Sequence, residues 1–296
     1  MDMLDQMATY VRVVDGKSLS AAARGLRLSL PAVSRQLRAL ESELGASLIV
    51  RSTRKLHVTD AGQRWYVHCV RVLREIEEAK RSVQSSRSVR GTLVVSASLS
   101  FGLLAVVPRL TALVERHPDL VVDLRLEDRV VDLVGDGIDV ALRAGAAPPD
   151  STAYVASPIA TMIRVLVAAP GWLRKHPVRT PLQLARHPCL VQITPTGALI
   201  RWQLVRAGEA VTVEVRGPLR SSAPIALRDM AIAGAGIAYV PDWLVEADLA
   251  RGTLVRVLPE WASPPIAASA VYRAHMRGDA RLTAFLSVLG RRTLRA

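Results

Sequence analysis

Leu26–Gly45, "LRLSLPAVSRQLRALESELG", carries two stripes of opposite character. Val33, Leu37, Leu40 and Leu44 follow a 4-3-4 spacing, which lines them up on one face of a helix. Pro31, Ser34, Arg35 and Arg38 fall on the other side. Ser29 is placed to cap the helix, Pro31 sits in the first turn where its missing N–H costs nothing, and Gly45 suits the stop. The apolar face needs partners. The polar face either meets solvent or reads something, and the flanking residues bear on which.

Upstream, Leu4, Met7, Val11 and Val14 recur at 3-4-3 spacing and predict a first helix to about Asp15, ended by Gly16. Ser18 then caps a short second helix, "SLSAAARGL", whose three alanines allow another helix to cross closely. Downstream, "SLIVRSTRKLHVTDAG" holds two strand-like pieces around a basic tip, "RSTRK". Between Arg24 and Lys55 seven basic residues (Arg24, Arg27, Arg35, Arg38, Arg51, Arg54, Lys55) face two acidic ones (Glu41, Glu43), so positive charge gathers around the third helix and the hairpin. From Thr59 a long helix is predicted, with Gly62, Trp65, Cys69, Val72, Ile76, Ala79 and Val83 on one stripe. Such a stripe packs on its own domain or on a partner helix, and the charged outer face suits a dimer-forming connector. Polar "QSSRSVRG" ends it and marks a domain boundary.

Beyond Gly91 the pattern becomes α/β. "TLVVSAS", "LVVDLRL", "DVALRAG", "IRVLVAAP", "CLVQI", "TVEVRG", "IAYVP" and "SAVYRA" read as strands. Helices are expected at "LLAVVPRLTALVERHP", "VDLVGDG", "PIALRDMAIAGAG" and "ARLTAFLSVLGRR". About two hundred residues suffice for two lobes.

Composition sets the outer bounds. At 296 residues and 50% apolar, the chain can bury more than one core, and disorder is excluded. Apolar runs are short and broken, and "MDMLDQM" lacks the basic and apolar regions of a signal peptide, so no membrane association and a cytoplasmic location are expected. Cys69 and Cys189 make no disulfide framework, and His57, His68, His117, His176, His187 and His275 are scattered, so neither a metal nor a cofactor is expected. A net charge of +13 points to a polyanionic partner, nucleic acid or an acidic membrane surface.

Taken together, "VRVVDGKSLSAAARGLRLSLPAVSRQLRALESELGASLIVRSTRKLHVTDAG" resembles the LysR-type transcriptional regulators, as do "DLVGDGIDVALRAG", "RVLVAAPGWLRKHP", "TPLQLARHPCLV" and "GAGIAYVPDWLV" further on. The resemblance spans nearly the full length. It implies an N-terminal all-α winged helix-turn-helix over 1–60, a long linker and dimerisation helix over 61–90, and an α/β two-lobed regulatory domain over 91–296. That domain is similar to type 2 periplasmic solute-binding proteins, with lobe 1 about 91–163 and 267–296 and lobe 2 about 164–266. The implied function is sequence-specific transcriptional regulation, with DNA binding or bending modulated by a small molecule such as an organic acid. Implied partners are a double-stranded operator, the effector, further copies of the chain (a dimer through the linker helix and onward to a tetramer) and RNA polymerase.

The residues agree. A helix following a short helix and a tight turn can enter the major groove, where Ser34 and Arg35 meet base edges or phosphate and Arg38 a phosphate. Ser20, Ser29, Leu30, Pro31 and Ala32 border that face, while Arg51, Thr53, Arg54 and Lys55 on the wing hold the backbone. Leu30 departs from the family, which usually has Gln there; Leu offers only an apolar contact, for example to a thymine methyl. In the second domain, Ser98 and Ser100 follow the first strand where free N–H groups favour anions. Asp128, Gln192, Thr194, Ser221 and Ser222 are expected to face the same cleft, with Arg143 available to pair with Asp128.

Three rival classes are weighed against this. No GxSxG, Walker, dinucleotide or metal motif supports an enzyme, and the glycines of "GAGIAYVP" follow a helix rather than a strand. A nonspecific nucleoid protein fits the charge but has no use for a two-lobed sensor. A solute-binding protein is not expected, because "MDMLDQM" does not read as a signal peptide and because such a protein has no need for a reading helix.

Overall fold

The structure is a computed structural model and describes residues 2–51, 56–83, 88–145, 153–194 and 196–290. The chain divides into two compact units, centred on Met1–Ser86 and on Arg87–Leu133 with Ile138–Ala296.

In the first unit α1 (Met3–Gly16), α2 (Leu19–Leu26) and α3 (Leu30–Leu44) pack together. The starts of α2 and α3 are capped by the residues expected: Ser18 Oγ accepts from Ala21 N–H and Ser29 Oγ from Ala32 N–H, each at 3.3 Å. Lys17, Arg27 and Gly45 close the three helices in the left-handed region. Tyr10, Val13, Ala22, Ala23, Val33, Leu37 and Leu40 form the core, and a buried Thr9–Gln36 hydrogen bond joins α1 to α3. Strands β1 (Ile49–Arg51) and β2 (Leu56–Val58) pair antiparallel as the wing. Glu41 Oε1 accepts from Leu48 N–H at 2.8 Å and Ile49 N–H at 3.1 Å, which fixes the wing to the end of α3. The long helix α4 (Asp60–Val83) begins inside the unit. Its stripe is divided: Gly62 and Cys69 are buried and Trp65 and Val72 pack on the same core, whereas Ile76 is half-buried and Ala79 exposed. The first half thus packs on its own unit, the alternative that the sequence left open beside a partner helix.

The second unit has two sheets. The first orders β4 (Leu120–Leu126), β3 (Gly91–Ala97), β5 (Val140–Ala144), β14 (Ile266–Arg273) and β6 (Tyr154–Met162), with β3 parallel to β4 and β5 and β14 antiparallel to β5 and β6. Leu93, Val95, Leu113, Val140, Leu142 and Phe285 fill its core. The second sheet orders β11 (Arg220–Ser221), β8 (Cys189–Gln192), β12 (Ile237–Pro241), β7 (Arg164–Ala168) and β13 (Val255–Arg256). The hairpin of β9 (Trp202–Arg206) and β10 (Glu209–Val213) joins its core through Trp202, beside Tyr239 and Trp261. Over the sheets lie α5 (Leu99–Phe101), which runs through a π turn at Gly102–Val106 into α6 (Val107–Arg116), then α7 (Pro170–Lys175), α8 (Pro224–Ile232), α9 (Asp242–Arg251) and α10 (Ala280–Leu289). The chain crosses between sheets twice, at Ile163 and at Pro264–Pro265, and the crossings are clasped: Arg164 N–H donates to Ser263 Oγ at 2.8 Å and Ser263 N–H to Arg164 O at 2.9 Å.

The structure departs from the sequence reading at several elements; of "TVEVRG" only Thr212 and Val213 are strand, and their partner strand β9 was not among those expected. "VDLVGDG" is not a helix: residues 133–137 form turns, with Gly137 at φ 65°, because two glycines in three residues remove the entropy advantage of helix. The nine-residue β6 was not anticipated, since "YVASPIATM" mixes small residues with a proline. β6 is an edge strand, where Pro158 is tolerated, and it sits where the register against β14 shifts.

Candidate DNA-reading surface and effector cleft

The reading surface is built on α3. With Val33, Leu37 and Leu40 turned inward, Leu30, Pro31, Arg35 and Arg38 are exposed and Ala32 and Ser34 half-buried. Leu30 stands 47% exposed at the first helical position, with Leu28 at 38% beside it, so the front of α3 presents apolar surface next to its basic residues. Arg38 Nε donates to Ser34 O at 3.3 Å, one turn back, leaving the rest of its guanidinium outward. Ser29 already uses its Oγ as a cap, and Ser20 lies exposed on α2. Arg51 closes β1 by its backbone; its side chain and Thr53, Arg54 and Lys55 lie outside the described residues. Arg24 and Arg27 are also exposed, and Arg27 holds the left-handed corner (φ 54°) between α2 and α3. Of the two, sequence reasoning assigned neither to the surface; the charge run from Arg24 was its signal.

In the second unit a cleft of about 550 Å³ opens between the two sheets, lined by Leu99, Leu126, Glu127, Asp128, Arg129, Ile193, Thr194, Gly197 and Ser222. That volume suits a small organic molecule. Of the eight residues expected here, Asp128, Thr194 and Ser222 line the cleft. Gln192 joins through Ser222, whose carbonyl accepts from its Nε2 at 3.3 Å, and Ser221 Oγ accepts from Ala223 N–H at 3.1 Å ahead of α8. Ser98 precedes α5 without a side-chain cap. Ser100 is buried and already bridges the lobes, its Oγ accepting from Ile225 N–H at 3.1 Å. Asp128 Oδ1 accepts from Leu99 N–H at 3.1 Å, so the chain's own carboxylate occupies the position expected for a ligand's. Arg143 is turned elsewhere, donating to Ser96 Oγ at 2.7 Å and to the carbonyl of Leu142 at 2.9 Å. Burial pulls its guanidinium below the ordinary value, against the charges of Glu127 and Asp128 nearby. Glu127 instead pairs with Arg129 at 2.6 Å. Leu99, Leu126, Glu127, Arg129, Ile193 and Gly197 were not anticipated; their signal was nearness in sequence to Ser98, Asp128 and Thr194.

Among the described residues no helix is long and apolar enough to cross a membrane, and no group of three or more His, Cys, Asp or Glu converges to hold a metal.

A helix pair with an exposed basic face in one unit, and a two-lobed fold with a central cleft in the other, define a ligand-responsive DNA-binding regulator. Comparison with known proteins agrees. The family description "Bacterial regulatory helix-turn-helix protein, lysR family" fits residues 4–63, and "LysR substrate binding domain" fits residues 86–293. The probable HTH-type transcriptional regulator LtrA of Klebsiella pneumoniae is 35% identical over 263 residues, 88% of this chain and 84% of that one. The HTH-type transcriptional activator TtdR of Escherichia coli K12 is 34% identical over 258 residues, 86% of this chain and 83% of its own. Among solved structures, full-length AphB, the Vibrio cholerae virulence activator, matches with a TM-score of 0.64 at 28% identity, covering 98% of each chain. CrgA of Neisseria meningitidis matches with a TM-score of 0.61 at 28% identity over 96% of this chain and 97% of that one. The chain belongs to the LysR family of transcriptional regulators: it is a sequence-specific DNA-binding regulator with a small-molecule effector domain.

Proposed function

We propose that α3 reads an operator in the major groove, with Arg35 and Ser34 at base edges or phosphate, Leu30 against an apolar base edge, and Arg38, Arg51, Thr53, Arg54 and Lys55 on the phosphate backbone. The observation that carries this is the division of α3 into a buried apolar stripe and an exposed basic face at its N-terminal half. Residues 1–60 are the reading head, 61–90 the linker through which two chains pair, and 91–296 the sensor, whose ligand sits in the cleft at Asp128, Thr194 and Ser222. Pairing of sensor domains extends the dimer to a tetramer, and the protein acts in the cytoplasm on RNA polymerase without catalysing a reaction. A ligand that favours one arrangement of the lobes changes the spacing of the heads, and so the bend of the DNA, without touching α3.

The test is titration of operator duplexes, obtained by selection from a random pool, beside scrambled duplexes over a salt series. Arg35→Ala is expected to lower the ratio of specific to nonspecific affinity, by roughly 1–3 kcal/mol. Lys55→Ala weakens both duplexes alike and reduces the salt slope by about 1. An Arg35→Ala protein with the original ratio removes that residue from base reading.

A further inference from the structure

A carboxylate ligand needs donors that are free to receive it, and several of those around the cleft are engaged. Leu99 N–H is taken by Asp128 Oδ1, and Ile225 N–H, at the start of α8, is taken by Ser100 Oγ from the facing lobe. Arg143 donates to Ser96 and to backbone carbonyls, and Arg129 is paired to Glu127. Acceptors remain on the other side of the balance. Asp128 lines the cleft, and among the described residues no cation lies within ion-pair distance of it. Beside the cleft, Gln192 Oε1 is buried and has no hydrogen-bond partner among the described residues, while the Nε2 of the same amide is held by Ser222 O. A buried acceptor left unmatched is costly, and a donor supplied from outside relieves it. Exchanging the two amide atoms does not help, because it would set Oε1 against the Ser222 carbonyl.

From these acceptors we infer that the cleft takes a ligand presenting hydrogen-bond donors, an amine or a polyol, rather than a free carboxylate. A donor group meets Asp128 at one end, and rearrangement of the Gln192 amide brings its Oε1 to a second donor near Ser222. This rests on the reading of the cleft as the effector site, and it replaces the organic acid suggested by the sequence with the opposite hydrogen-bonding class. A ligand carboxylate, by contrast, would lie beside the Asp128 carboxylate, while the guanidinium of Arg143, whose charge is felt there, is committed to Ser96 Oγ and backbone carbonyls.

The full-length protein is titrated calorimetrically with three probes of one chain length, 1,6-diaminohexane, 1,6-hexanediol and adipate. The comparison is stringent because a protein of net charge +13 attracts adipate and repels the diamine before any site is considered. The diamine and, more weakly, the diol are expected to bind, and adipate not. Asp128→Asn keeps a side-chain oxygen to accept from Leu99 N–H and lowers diamine affinity roughly 10- to 100-fold, the difference between a charge-assisted and a neutral hydrogen bond. Gln192→Leu, a second variant at an unrelated element, weakens diamine and diol together; unliganded melting curves establish that both variants fold.

Adipate binding that Thr194→Val abolishes would overturn the donor rule while leaving the cleft as the effector site. A diamine bound equally by wild type, Asp128→Asn and Thr194→Val lies elsewhere and overturns both readings. Silence from all three probes at millimolar concentration also overturns the donor rule, and leaves the cleft to be judged by the effect of Thr194→Val on effector-dependent footprints.

Discussion

Replacing Gly62 by alanine adds a single methyl group to α4 and is expected to loosen the whole reading head. The new Cβ would stand 2.2 Å from Leu48 O, 2.7 Å from Tyr10 Oη and 2.8 Å from Val58 Cγ1, where ordinary contact begins at 3.4 Å. Leu48 O is backbone and already accepts from Thr59 N–H at 3.0 Å, so it yields little; α4 must move away by about the difference, 3.4 − 2.2 = 1.2 Å. Overpacking costs about 1–3 kcal/mol, and a contact against backbone belongs at the upper end. Alanine's better helix propensity returns about 1 kcal/mol. The net loss is about 2 kcal/mol, or roughly 30-fold in the opening equilibrium. Gly25 provides the control within the same unit: it lies exposed in α2 with nothing within 4 Å of an added Cβ. Gly25→Ala should therefore stabilise, by about 0.5–1 kcal/mol. The assay is native-state hydrogen exchange on the full chain, following peptides of α1–α3 with peptides of β3–β5 as internal reference. The core peptides should exchange roughly 30-fold faster in Gly62→Ala and roughly 2- to 5-fold slower in Gly25→Ala. Unchanged core exchange in Gly62→Ala would refute the argument from close approach.

The later part of α4, beyond the residues that pack on the head, is the part available to a partner. Ile76→Glu should lower the solution mass by light scattering toward that of one chain, because a carboxylate buried in an apolar seam has no partner; a wild-type protein monomeric at micromolar concentration sinks the pairing. Asp279 and Arg281 form a buried pair at the start of α10, with Arg281 Nη2 2.6 Å from Asp279 Oδ2 and its Nη1 2.6 Å from Thr92 O. Burial pushes the Asp279 carboxyl up, but the Arg281 hydrogen bond and charge and the Leu282 and Arg281 N–H groups outweigh it and hold the carboxyl below the usual range. A depressed carboxylate stabilises fully above the unfolded value of about 3.9, and that stabilisation is lost as pH falls through the lower folded value. Asp279→Ala, which removes the carboxylate facing a buried guanidinium that keeps its bond to Thr92 O, should cost about 1–3 kcal/mol at pH 7. The gap in Tm between variant and wild type should shrink in acid, and a gap as wide at pH 3 as at pH 7 contradicts the pairing.

Local chemistry and periodicity made the reading head legible in the sequence. Ser18, Ser29 and Pro31 start helices because of what their own atoms do to neighbouring N–H groups, and Val33, Leu37 and Leu40 turn inward because 3.6 residues make a turn. The exposed face of α3 follows from the same geometry, so Arg35 and Arg38 were identifiable before any coordinates. Tertiary structure decided what depends on distant segments. A glycine in the α4 stripe is ordinary until Leu48 O, fourteen positions earlier, is found against it. β6 exists because β14, more than a hundred residues away, supplies its hydrogen bonds, which overrides the weak local preference of "YVASPIATM". The cleft shows the limit most clearly. Its residues Asp128, Thr194 and Ser222 were recognisable by type and by their positions after strands, but type alone leaves open whether a group is free. Only the fold reveals that Asp128 and Ser100 have already taken the N–H groups of Leu99 and Ile225, and that the Gln192 acceptor is unmatched among the described residues, because hydrogen-bond partners are assigned by proximity in space and not along the chain.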